Sequence, residues 1–475
     1  MREPLRGPLS SLCELSAVEM ARLIRAGELS AVELTAAHLE RIGRINPKLN
    51  AIVTLVPEQA MAAARAADQA RARGHSLGLL HGLPVVHKDL QPTKGIRTTF
   101  GSPIYRDFVP DADALLVERA RSAGAILLGK SNTPEFGAGS QTFNTVFGAT
   151  LNPWDTSKTC GGSSGGAAVA LATGMTALAD GSDLGGSLRN PAAFCGVVGL
   201  RTSPGRVPAW PVSTAWSPLS VEGPMGRTVA DLALYLAAIA GPDARAPLSI
   251  SEPGARFAQP LGRDLRGVRI AWWSNLDGIA FESEVRTIVN AQRGVFEALG
   301  CIVEEAEPDW SGVDSSFRTL RQLERLIQLQ ALRKAHPAAI KDTILAELDA
   351  AERLSAQEIG AALQRQTEIY ERMRGFMQRY EYFVLPVTQV LPFDVRQPYP
   401  REIEGQPMST YIDWMKSCYY ISMTAAPAIS VPCGFTASAL PVGLQIVARH
   451  RNDWGLLQMA YAFEQAVAHQ RRPKL

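Results

Sequence analysis

The sequence predicts an α/β fold. Helical patterning over residues 113–123 stops at Gly124 and gives way to the compact apolar run AILLGK, residues 125–130. The alanine-rich stretch 57–73 in turn precedes a short strand at 85–87. Helix followed by short apolar strand, repeated, is the α/β pattern. A third observation is the stretch 159–189, in which two Gly/Ser-dense loops flank small residues at 167–179 that read as a helix and then a buried strand. The 475 residues are 46% hydrophobic and 20% charged, an ordinary globular composition. That length admits two or three domains or one large α/β unit.

Taken in order, residues 16–44 read as two helices broken at Gly27. Ser16 precedes Glu19 and Ser30 precedes Glu33 at capping-box spacing. Pro57 opens the helix 57–73, where its fixed φ suits the first turn. Lys88 and Asp89 follow the strand 85–87 directly. Residues 131–158 lack periodicity and read as a long ordered loop. Residues 199–208 read as an irregular loop, and 226–240 as a helix. The Pro/Ala/Gly-rich segment 242–263 reads as a link to a peripheral part. A strand is expected at 268–273, one helix at 281–299, and a helical excursion at 317–381 broken at Pro337. Residues 382–390 return to a strand, 394–410 form a polar loop, and 411–426 read as helical. Two strands, 428–434 and 443–449, and a closing helix at 453–468 complete the chain.

Formal net charge is +2, from 48 basic and 46 acidic residues, and the basic residues are dispersed. This gives no field for direct nucleic-acid binding or for an anionic membrane. Cys13, Cys160, Cys195, Cys301, Cys418 and Cys433 lie far apart without a CxxC, so a reducing cytoplasm is expected. Arg2, Glu3 and Arg6 are not followed by an apolar run, so no signal peptide is read, and no uninterrupted run reaches membrane-spanning length. No metal or other cofactor is expected, since no HExxH or His/Cys cluster occurs.

The chemistry concentrates in 159–189. GSSGG at 162–166 matches G-x-S-x-G around Ser164, but the later histidines, His336, His450 and His469, are poorly placed for a Ser-His-acid triad. No Gly-Lys-Ser/Thr follows the glycines, so a P-loop is excluded. A serine nucleophile needs a base. Lys88, between a buried strand and a Gly/Pro loop, loses its proton readily if held dry; the plainer alternative is a strand-end lysine paired with Asp89. In the second loop, SDLGGSLRN at 182–190, the N–H groups of Leu184, Gly185 and Gly186 converge beside Ser187 and suit a developing negative charge. Asp183 and Arg189 flank the loop and are candidates to lock its shape. The alternative there is a simple glycine turn before a helix, capped by Asp183.

These residues carry a resemblance. GLPVVHKD at 82–89, GGSSGGAAVALATG at 161–174, DGSDLGGSLRNPAAFCGVVGLRTSPGRVP at 180–208 and LPVGLQIVAR at 440–449 resemble the amidase signature family, and the similarity runs from about residue 15 to 468. The resemblance implies one domain, a three-layer α/β/α body with a large mixed twisted sheet. It implies a Ser–cis-Ser–Lys triad in which Ser187 is the nucleophile, Ser163 the bridging serine in a cis linkage with Gly162, and Lys88 the base. It places the oxyanion hole at Leu184, Gly185 and Gly186, with Ser164, Asp183 and Arg189 as braces. The implied activity is hydrolysis of a small nonpeptide carboxamide through an acyl-enzyme.

Residues 382–394 are similar to versions in stand-alone amidases and depart from the form usual in the glutaminase subunit of tRNA-dependent amidotransferases, which stays the alternative. A non-catalytic interaction protein on the same fold is a third reading, opposed by the intact Lys88, Ser163 and Ser187. Residues 131–147, 309–335 and 382–394 are expected to line the acyl pocket, with Trp210, Trp216, Trp310, Trp414, Tyr419 and Tyr420 as candidate aromatic walls. The partner is a small-molecule amide, and the chain is open to forming a homodimer.

Overall fold

The computed structural model describes residues 9–467 and 471–474. Arg2, Glu3, Arg6 and His469 lie outside the described residues. An eleven-stranded sheet runs, from one edge to the other, through 52–55, 126–131, 84–88, 178–183, 221–226, 198–201, 428–435, 441–448, 382–386, 269–272 and 302–305. It is mixed. Strand Pro84–Lys88 is parallel to both neighbours, Ile126–Ser131 and Leu178–Asp183, whereas Leu178–Asp183 and Val221–Gly226 are antiparallel. Helices flank the sheet, as the three-layer α/β/α expectation requires.

Local signals set the helix ends. Helix Ala17–Ala26 starts where Ser16 accepts the Glu19 N–H, and stops at Gly27 in the left-handed region, φ 73°. Helix Ala31–Leu49 carries the full capping box, with Ser30 and Glu33 each accepting the other's N–H at 3.0 Å. Helix Gly165–Ala172 is buried throughout. A Cβ on Gly166 would meet the Asn132 nitrogen at 2.3 Å, so the glycine lets this helix press on the backbone that follows strand Ile126–Ser131.

Several boundaries differ from the sequence expectation. Val198–Arg201 is a central strand, so the irregular loop begins only after it. Val221–Gly226 and Ile302–Glu305 are strands that the sequence did not announce. The stretch 281–299 is two helices, Ser283–Asn290 and Arg293–Ala298, separated where Gln292 bonds back three residues to Val289 at 2.9 Å. The loop 131–158 contains a small hairpin, Phe143–Asn144 with Gly148–Ala149, and 394–410 contains another, Glu402–Ile403 with Gln406–Pro407. The excursion consists of three helices, Val313–Ala335, Asp342–Ala351 and Ala356–Arg379. Leu329, Ile340, Ile344 and Leu348 form its own apolar cluster with Ala138, which docks the excursion onto the loop after strand Ile126–Ser131.

Candidate active site

Parallel pairing of Pro84–Lys88 with Leu178–Asp183 brings the ends of two central strands together. Lys88 ends one of them and is 0% exposed. Its Nζ donates to Ser163 Oγ at 2.7 Å and to Ser182 Oγ at 3.1 Å. Ser163 stands in the turn before helix Gly165–Ala172, and the Gly162–Ser163 peptide bond is cis. Burial pushes the Lys88 pKa down to about 8, against the opposing pull of Glu222, Asp183 and Asp180. Asp180 anchors the strand end: it accepts the Lys88 backbone N–H at 3.0 Å and the Tyr235 hydroxyl at 3.0 Å, and it contacts His87 Nδ1.

Lys88 is not paired with Asp89, which removes the plainer alternative. Asp89 accepts the Thr99 hydroxyl at 2.5 Å, and burial raises its pKa against the attraction of Lys130. Lys130 is itself buried, bonded to the Gln91 carbonyl and, at 2.7 Å, to Thr93 Oγ1.

The loop that carries Ser187 is held by one carboxylate. Asp183 Oδ1 accepts the Gly186 N–H at 2.8 Å and Arg189 Nη2 at 2.8 Å; Oδ2 accepts the Leu188 N–H at 3.1 Å and Arg189 Nε at 3.0 Å. Arg201 Nη1 donates to the Asp183 carbonyl at 2.5 Å. Burial works against the Asp183 charge, but Arg189 and Arg201 outweigh it and hold the carboxyl well below the usual carboxylate range. The Gly186 N–H is therefore committed to Asp183, a correction to the three-donor anion hole. The N–H groups of Leu184, Gly185 and Ser187 have no protein acceptor among the described residues. Gly186 has φ 119°, and a Cβ there would meet Cys418 Cβ at 2.7 Å, so no other residue fits the turn. Ser164 braces the loop from beneath: its N–H donates to the Ser187 carbonyl at 3.1 Å.

Asp183→Asn should therefore destabilise the protein by about 3–5 kcal/mol, since it leaves two buried guanidinium groups without their counter-charge. Urea unfolding monitored at pH 7 measures this. Wild type owes this contribution to the ionised form, so it is present above the unfolded-state carboxylate pKa and is lost only as pH falls through the depressed folded-state value. An unchanged transition midpoint would show that the clamp is dispensable.

Ser187 is half-buried and opens, with Ser163 and Ser182, onto a cavity of about 310 Å³. Its walls are Leu90, Phe100, Tyr105, Phe136, Leu184, Leu329 and Leu332, with Glu222 and Arg325 as charged members. Loop 131–147 contributes Phe136 and Gly137, and 309–335 contributes Arg325, Gln328, Leu329 and Leu332, as expected. Residues 382–394 contribute nothing, and none of the six nominated aromatic residues lines the cavity. Trp414 stacks on Phe194 at 5.7 Å, Tyr419 on Phe317 at 4.1 Å, and Trp310 packs on Phe383 and Tyr420. Trp210 lies under the Arg245 guanidinium, and Trp216 is 77% exposed. His450 is remote, bonding the Ala425 carbonyl and meeting the Tyr370 ring edge-on. Reasoning from sequence missed Ser182, Asp180, Gln91 and Glu222. Ser182 and Asp180 lie inside the quoted motif, but no pattern marked Glu222.

A mixed sheet wrapped by helices carries a buried lysine and a serine-lined cavity at the ends of its central strands, an arrangement suited to a hydrolase. The chain belongs to the amidase family, whose model, described as Amidase, matches residues 33–457. It is similar to an acylamidase of Rhodococcus erythropolis, 37% identical over 453 residues covering 95% of each chain. It is also similar to a glutamyl-tRNA(Gln) amidotransferase subunit of Moorella thermoacetica, 36% identical over 485 residues covering 97% of this chain and 98% of the relative. Among solved structures it matches a bacterial aryl acylamidase of the amidase signature family with a TM-score of 0.89 and 28% identity, over 95% of this chain and 96% of that one. The protein is an amide-hydrolysing enzyme.

Proposed function

We propose that this amidase acts alone on a small nonpeptide carboxamide with an apolar acyl stem, through an acyl-enzyme on Ser187. The observation that carries the reading is Lys88 Nζ at 2.7 Å from Ser163 Oγ, beneath the cavity onto which Ser187 opens. Neutral Lys88 takes the Ser163 proton as Ser163 takes that of Ser187, and Ser187 Oγ attacks the amide carbonyl carbon. The N–H groups of Leu184, Gly185 and Ser187 receive the oxyanion; Gly186 holds the turn through Asp183. The proton returns through Ser163 to the leaving nitrogen, the C–N bond breaks, and water hydrolyses the ester by the same relay. Ser182, the second acceptor of Lys88, keeps the amine aimed. Phe100, Tyr105, Phe136, Leu329 and Leu332 suit an apolar acyl stem, as small-molecule pockets are mostly apolar with few polar anchors.

A second reading, the glutaminase component of a tRNA-dependent amidotransferase, is favoured by the 36% identity to the Moorella amidotransferase chain over 97% of this one. The balanced charge supports a small-molecule partner without direct nucleic-acid contact, and six buried free thiols support a cytoplasmic setting. An ammonia-release screen of the isolated chain over aliphatic, aryl and cyclic amides, with glutamine included, separates the readings. We expect a higher kcat/KM for an aryl or medium-chain amide than for glutamine. Glutaminase activity that appears only with partner proteins and charged tRNA would replace this reading with the second.

A further inference from the structure

The cavity beside Ser187 carries a positive charge with which no carboxylate among the described residues forms an ion pair. Arg325 lines it, is 8% exposed, and donates through Nη1 to the Phe136 carbonyl at 3.0 Å. Its Nε–H has no partner, and no described carboxylate forms an ion pair with it. Glu324 and Glu347 attract it, and one oxygen of each has no hydrogen-bond partner, but neither forms an ion pair with it. Glu324 takes the Ser217 hydroxyl, and Glu347 pairs with Arg321 at 2.8 Å. Glu222 faces the same cavity, but its Oε2 accepts the Gln91 amide at 2.6 Å, and burial raises its pKa, which favours the neutral form. Arg321, one turn before Arg325, adds a like charge. A buried guanidinium without a counter-ion costs stability that a bound anion restores.

Position along the helix sharpens the point. Arg325, Gln328, Leu329 and Leu332 fall at i, i+3, i+4 and i+7 of helix Val313–Ala335, and all four line the cavity. One helix face thus offers a polar end followed by an apolar one. The Phe136 carbonyl that Arg325 holds belongs to the residue before Gly137, and a Cβ on Gly137 would lie 3.5 Å from Ser163 Oγ. The guanidinium and the serines therefore share one short wall.

We infer that Arg325 is a specificity-determining residue that binds a carboxylate at the far end of a short acyl group, so that the preferred substrates are ω-carboxy monoamides. Guanidinium and carboxylate match as a two-pronged, charge-assisted pair, which fixes both position and orientation. A stem of a few methylenes would run along that short wall between the pair and the scissile amide, with Leu329 and Leu332 beside it. The inference rests on Ser187 being the nucleophile.

The test compares glutaramate (5-amino-5-oxopentanoate) with pentanamide, equal in length and differing in the terminal carboxylate. Ammonia release gives kcat and KM for wild type, Arg325→Met and Arg325→Lys, and a fluorophosphonate probe reports on Ser187 in each. We expect wild type to favour glutaramate at least about tenfold in kcat/KM, because a site built around a charged hydrogen-bonding group discriminates strongly against an analogue lacking it. Arg325→Met should erase that preference, mainly through KM, and Arg325→Lys should keep part of it. Ser187 should be labelled in all three. Wild type favouring pentanamide, or Arg325→Met lowering both substrates equally while Ser187 still labels, overturns the inference and leaves the proposed function standing. Absence of label on wild-type Ser187, with neither amide turned over, overturns both.

Discussion

Ser187→Ala is expected to abolish amide hydrolysis, by at least about 10⁴-fold, the scale on which loss of a nucleophile is felt. The fold should survive. Among the described residues the Ser187 hydroxyl makes no hydrogen bond, and the contact that ties the residue down, from the Ser164 N–H, ends on its carbonyl. Truncating the side chain thus leaves no buried group unpaired. Circular dichroism and thermal melting should match wild type while ammonia release vanishes. A fluorophosphonate probe should label the wild-type residue, located by mass spectrometry. Label on Ser163 or Ser164 instead would move the nucleophile one loop upstream and break the assignment of the anion hole.

Lys88→Met is the companion experiment, with an expected loss of at least about 10²-fold, the scale of a general base. Methionine fills the buried space and removes the amine, so Ser163 and Ser182 lose their donor without a large void. Wild type should also show the base directly. Only the neutral amine takes a proton, and burial brings its pKa down to about 8. Therefore kcat/KM should rise with pH below about 8 and level off above it. A rise centred near the ordinary histidine range, together with a large loss in His450→Ala, would return the site to a histidine mechanism.

That Lys88, Ser163 and Ser187 gather at one cavity was legible because their local sequence is constrained by backbone geometry. Gly186 sits where a Cβ would meet Cys418, and Gly181 where one would meet the Ser164 hydroxyl at 2.3 Å, so glycines cluster where the loops close. Capping residues such as Ser30 announced helices for an equally local reason. Strand Val221–Gly226 was not legible. Its sequence, VEGPMG, has poor strand propensity, yet a Cβ on Gly223 would strike the Leu200 carbonyl oxygen at 2.2 Å. That strand sets Glu222 directly across from Ser182, which is why Glu222 reaches the site from a segment without a motif. The pocket walls failed for a related reason. An aromatic residue advertises burial but not which side it faces, and Trp414 and Tyr419 face the core. Phe100 and Phe136 reach the cavity from turns with φ of 53° and 50°, a conformation that a phenylalanine does not announce.

The ties on Arg189 bear on when the enzyme becomes able to act. Beyond Asp183, its guanidinium donates to the Cys418 carbonyl at 3.0 Å, to Gln445 Oε1 at 2.5 Å and to Ser422 Oγ at 3.0 Å. Those partners are made 229 to 256 residues later in synthesis. A ribosome that has released residue 208 has already delivered Lys88, Ser163 and Ser187, yet Arg189 still lacks three of its five hydrogen bonds. On the proposed mechanism, activity is therefore expected only near the end of translation, when strand Pro441–Ala448 joins the sheet.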